Sequence, residues 1–159
     1  LRFVRRLIHW IIAFLRWLFG LPPYIAQPSA GALHLTVIQQ ENGMLGIKVD
    51  VIPPATRNDA AQTPITPAEL AGWQIYTQID GASTWSPIGG LNSVDVTTRT
   101  IGNVPEGTKL RVRTAWFDRQ DPSKEGLPAE QLIEAVIVVP PPVLAEPAAG
   151  GMTLTVVPQ

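Results

Sequence analysis

No cysteine occurs in the 159 residues, so a disulfide framework, a thiolate metal site and a cysteine nucleophile are all excluded. Histidine is nearly absent as well. His9 and His34 are the two present, and neither stands near a serine or carboxylate in a catalytic pattern, so both read as solvated or locally satisfied. The glycine-rich phosphate loops, HExxH and GxSxG are missing. Asp118, Asp121 and Glu125 share the stretch FDRQDPSKEG, but their spacing lacks the alternation of a calcium loop and reads as solvated. From these absences we expect no enzyme, catalytic residue, metal, cofactor or small-molecule substrate.

Charged residues are sparse at 16%, whereas prolines number 16 and glycines 13, a balance that suits a turn-rich β protein rather than a helical bundle. The formal net charge of −1 conceals a division. Arg2, Arg5, Arg6 and Arg16 make the first segment basic, while the remainder carries eight basic and thirteen acidic residues. An acidic body argues against nucleic-acid binding except through that first segment.

The opening LRFVRRLIHWIIAFLRWLFG is apolar but not uniformly so. At ~100° per residue, Arg2, Arg5, Arg6, His9, Ala13 and Arg16 fall within one arc of about 100°. Trp10, Phe14, Trp17 and the aliphatic residues occupy the rest of the circumference. A spanning helix would bury Arg16 near its middle, at roughly 2.5–3.5 kcal/mol, and would leave the basic stripe unexplained. A helix lying in the interface explains the stripe directly, with Arg2, Arg5, Arg6 and Arg16 at lipid phosphates and Trp10, Phe14 and Trp17 in the acyl boundary. Packing on a protein partner, with the arginines turned to a pore or a polyanion, is the other reading. Gly20, Pro22 and Pro23 stop the helix, giving segment 1–22 and a linker over 23–30.

The body reads as strands. GALHLTVIQQ and LGIKVDVI alternate with period two around Asn42-Gly43, a hairpin signal. After a long connection with one helical turn at TPAEL come GWQIYTQI, a short strand around Trp85, SVDVTTRTI, TKLRVRTAWF and LIEAVIVV. Trp73, Trp85 and Trp116 are expected to pack in the core. Lys109, Arg111 and Arg113 share one strand face and are candidates for meeting a partner. The whole implies a mainly β, immunoglobulin-like antiparallel sandwich over 31–140 with an N-terminal amphipathic α-helix.

GWQIYTQIDGASTWSPIGGL followed by VPEGTKLRVRTAWFDRQ resembles the middle and second half of a fibronectin type III domain, especially the modules of bacteriophage tail and virion proteins. The family usually carries tyrosine where this chain has Leu110. The resemblance implies a structural component whose partners are further copies of itself and other structural proteins. Localisation is then the virion or a membrane of the bacterial envelope. An adhesion or carbohydrate-binding module tethered to that envelope is the alternative.

PSAGALHLTVIQQ from Pro28 and PAAGGMTLTVVPQ from Pro147 match in register. Segment 150–159, after a proline-rich linker over 141–149, therefore reads as a terminal strand. It either opens a second domain of the same type or pairs with a sheet edge of a neighbouring subunit.

Overall fold

The computed structural model describes residues 2–20 and 25–137, without the side chains of residues 2, 3 and 5. The linker 141–149 and the segment 150–159 lie outside the described residues. One helix, α1 (Arg2–Leu18), precedes seven strands: β1 (Ala32–Gln39), β2 (Leu45–Ile52), β3 (Leu70–Ile79), β4 (Ser86–Asn92), β5 (Thr98–Val104), β6 (Lys109–Asp118) and β7 (Ala129–Glu134). All pairings are antiparallel, in a three-stranded sheet ordered β1-β2-β5 and a four-stranded sheet ordered β4-β3-β6-β7. The molecule is an immunoglobulin-like, fibronectin type III-like sandwich with an N-terminal helix.

Period-two alternation becomes burial. Leu45, Ile47, Val49 and Val51 point inward from β2, and Leu110, Val112, Thr114 and Trp116 from β6. Trp73 and Trp116 are fully buried opposite one another, with ring centroids 6.2 Å apart. The Trp73 indole donates to the Val96 carbonyl at 2.6 Å, so its one polar atom is satisfied inside the core.

The hairpin expected at Asn42-Gly43 joins β1 to β2, and Gly43 takes φ 78°, a conformation that disfavours any side chain. TPAEL gives a 3-10 turn at Pro67–Glu69, opened by a reciprocal cap between Thr66 and Glu69. Two boundaries differ from the sequence reading. β5 starts at Thr98 because Ser93 to Val96 form a turn, and β7 occupies Ala129–Glu134, paired in register with β6, rather than LIEAVIVV.

Trp85 is not a core residue. It lies just before β4, half-buried, outside the sandwich. Asp118 is likewise not a solvated loop carboxylate. It is fully buried at the end of β6, ion-paired and hydrogen-bonded to Nη1 of Arg57, a buried residue in the connection after β2.

The two ends of the sandwich are distinct. At one lie residues 25–31, the β2–β3 and β4–β5 connections and the β6–β7 loop; at the other lie the β1–β2, β3–β4 and β5–β6 turns and residues 135–137. The chain therefore enters the sandwich at one pole and leaves it at the other.

Candidate functional site

The geometry offers two surfaces, the helix and the outer face of the four-stranded sheet. α1 has 17 residues, hence a length of about 25 Å. Its large apolar residues are exposed: Trp10 and Trp17 at 77% and 75%, with Phe14 at 50% and the Phe14 and Trp17 rings 6.1 Å apart. Helical spacing keeps Arg2, Arg5, Arg6, His9 and Arg16 on one arc. His9, at the centre of that arc, is exposed and lines a cleft of about 430 Å³ with Ala26, Asn58, Asp59, Ala60 and Ala61. The large apolar residues from Val4 to Leu18 are likewise exposed.

The charge order along α1 is unfavourable to the helix standing alone. No acidic residue occupies the first turn, and Arg2 and Arg5 lie near the positive end of the macrodipole. Each such placement costs typically 0.3–1 kcal/mol, about the reverse of the gain from an anion there. Only Arg16, in the last turn, complements the dipole. An anionic surface beside the first turns would remove the penalty. Among the described residues, no helix is long and apolar enough to cross a membrane.

Residues 25–29, read from sequence as linker, are fastened to the sandwich. Ala26 and Pro28 are buried; the Ala26 carbonyl accepts from Arg57 Nη1 at 2.9 Å, and the Ile25 carbonyl accepts from Lys124 Nζ. Asn58 donates its backbone N–H to Gln27 at 2.8 Å, Ser29 donates to Thr56 at 3.0 Å, and Leu127 donates to Pro28 at 2.9 Å. Arg57 is in turn held by Asp118 and, at 3.3 Å, by Glu69. Burial alone would raise the Asp118 carboxyl, but the Arg57 guanidinium and the backbone N–H groups of Gln120 and Asp121 outweigh it and hold the group below the usual carboxylate range. Glu69 is lowered first by the Thr66 backbone and side chain, then by Arg57. Sequence reasoning missed this network, because Arg57 and Asp118 sit in unremarkable local contexts 61 positions apart.

Lys109, Arg111 and Arg113 do share the outer face of β6. Acidic partners from neighbouring segments answer two of them: Glu134 stands 3.9 Å from Lys109, while Asp80 and Glu130 stand 3.4 and 3.6 Å from Arg111. The Arg113 guanidinium lies 4.7 Å from the ring centroids of both Tyr76 and Trp85. Burial and the nearby Glu125 raise the Tyr76 hydroxyl against the lowering effect of Arg113. Glu130 and Glu134 become visible as partners only once the β6–β7 register is known.

Among the described residues no group of three or more His, Cys, Asp or Glu is placed to hold a metal ion. No protein-family model matches the chain, and no curated protein does. A solved structure titled "Myokine structure" is similar at 15% identity, covering 65% of this chain and 95% of its own, with a TM-score of 0.41.

Proposed function

We propose that the protein is a non-enzymatic attachment protein, in which α1 lies in the surface of an anionic membrane and holds the sandwich against it. The observation that carries this reading is the exposed apolar arc of α1, with Trp10, Phe14 and Trp17 on one side of the helix and the arginines on the other. A helix half-sunk in a bilayer needs this arrangement, with aromatic residues in the acyl boundary and arginines at the phosphates on the aqueous side. Relief of the dipole mismatch at Arg2 and Arg5 favours an anionic surface over a neutral one. The resemblance to virion modules makes a phage structural component, present in many copies, the most specific form of the proposal. Many copies would offset the weak hold of one short helix.

The envelope-tethered carbohydrate module has less support. Tyr76 and Trp85, the aromatic residues available for stacking on a sugar, each already lie against the Arg113 guanidinium.

Vesicle flotation tests the reading. The intact chain should float with anionic vesicles at low salt and in part at high salt, and a chain lacking residues 1–22 should stay in the dense fraction. If the intact chain stays there too, the helix serves a protein or nucleic-acid partner and the membrane reading fails.

A further inference from the structure

Arg113 differs from the other two cations of its stripe. Lys109 and Arg111 are answered by carboxylates, whereas Arg113 forms no hydrogen bond and no ion pair among the described residues. The strand register sharpens the contrast. Glu130 stands directly opposite Arg113 across β6 and β7, yet its carboxylate lies 3.6 Å from Arg111 instead.

What holds Arg113 is aromatic. Tyr76, its cross-strand partner on β3, and Trp85, from the segment just before β4, each place a ring centroid 4.7 Å from the guanidinium carbon. A ring attracts the cation through its π face and takes up none of the N–H donors, which point outward in the guanidinium plane. Nε is buried without a partner, so the packing closes that side, and the edge left to a ligand is the one between the two terminal nitrogens. That edge is a rigid pair of donors whose spacing matches the two oxygens of a carboxylate. Because the two rings already hold the guanidinium, little side-chain freedom is left to lose on binding.

We propose that Arg113, held by Tyr76 and Trp85, anchors a binding site for a single carboxylate, which it takes end-on through its two terminal nitrogens. The surroundings select a carboxylate over phosphate or a polyanion. The outer face of the four-stranded sheet carries Lys109, Arg111 and Arg113 against Asp80, Glu125, Glu130 and Glu134, so its charges do not sum to a basic patch. Such a face repels a dianion or a charged polymer more than a monoanion, and the one unanswered guanidinium matches one carboxylate in charge and in shape. The site stands on the sheet, apart from α1, and does not rest on the proposed membrane attachment.

Nuclear magnetic resonance of the full chain tests this in solution, without vesicles. The reporters are the Arg113 Nε–H signal, identified by its loss in Arg113→Lys, and the Trp85 indole N–H signal, identified by its loss in Trp85→Leu. Sodium acetate, added at constant ionic strength to a dilute sample, should move both signals to saturation with a midpoint of about 10 mM, the strength of one partly solvated fork. Sodium phosphate at neutral pH should move them several times less. In Arg113→Lys, which keeps the charge but not the fork, the Trp85 signal should no longer respond to acetate. In Trp85→Leu, which removes a ring lying outside the core, the Arg113 midpoint should rise about three- to fivefold. A shift that grows linearly with salt and is shared by Arg99 and Arg111 overturns the site, and so does a Trp85 response that survives Arg113→Lys. Phosphate acting as strongly as acetate overturns the choice of a carboxylate. Signals that move to the acetate-bound position when the protein alone is concentrated uphold the site and assign its carboxylate to another copy of the chain; signals indifferent to protein concentration but saturated by acetate uphold it for a free acid.

Discussion

Arg57 shows how a single polar side chain organises one pole of the sandwich. It is buried, and it reaches the Ala26 carbonyl, Asp118 and Glu69 from the β2–β3 connection. Replacing it with methionine leaves Asp118 buried without its counter-ion, and we expect a loss of about 3–5 kcal/mol in urea unfolding. The double substitution Arg57→Met with Asp118→Leu should recover most of that, since a well-packed apolar pair avoids the uncompensated charge. The sign of the pH dependence follows from the carboxyls. Asp118 and Glu69 are both lowered in the folded state, so their contribution is present above the unfolded carboxylate range near about 4 and is lost as pH falls through the folded values. Stability should therefore hold from neutral pH to about 4 and decline below it, and the decline should shrink in Arg57→Met.

Thr114 makes the opposite case. It is buried in β6 opposite Ile75, and its hydroxyl has no hydrogen-bond partner among the described residues. Thr114→Val removes the unpaired group at nearly constant shape, and we expect the urea midpoint to rise by the equivalent of about 1 kcal/mol, with the m value unchanged.

At the level of elements, the strands were legible because one buried face imposes period two, and the turns because Asn42-Gly43 and Asp80-Gly81 supply residues that tolerate positive φ. Trp85 defeated the same reasoning. A tryptophan among strand residues looks like core, and only the sheet order shows that it lies outside, against Arg113 on β6. The basic stripe on β6 was legible as a stripe but not as a neutralised one, since β7 supplies Glu130 and Glu134 from 19 and 25 positions beyond Arg111 and Lys109, respectively. α1 was legible throughout from its periodicity. Its stability was not, and physical chemistry argues that it is conditional. A helix of this length is marginal in water, and basic residues at its start oppose the dipole. The far-ultraviolet circular dichroism of the intact chain should gain helical signal near 222 nm when anionic vesicles are added. It should gain little with zwitterionic vesicles, and none in a chain lacking residues 1–22.

For the whole molecule, the fastening of residues 25–29 decides how the sandwich would stand on a surface. Residues 21–24 separate Gly20, held to the end of α1 by its bond to Trp17, from Ile25, the first fastened residue: five peptide units, a reach of about 18 Å at most. Strands of six to ten residues make the sandwich roughly 20–33 Å from pole to pole. The tether is therefore shorter than the body it carries, and the pole bearing the β6–β7 loop must remain near α1 while the pole bearing the β5–β6 turn stands away from it. Because the chain has no cysteine, a single substitution supplies a unique label at either pole. A polarity-sensitive probe at Ser123→Cys, in the β6–β7 loop, should be quenched by headgroup-labelled lipid when the protein binds anionic vesicles. The same probe at Glu106→Cys, in the β5–β6 turn, should not. Equal quenching at both sites would mean that the sandwich lies flat or tumbles on its tether, and that residues 25–29 do not hold it upright. Quenching at Ser123→Cys alone would place residues 135–137 on the side facing away from the membrane.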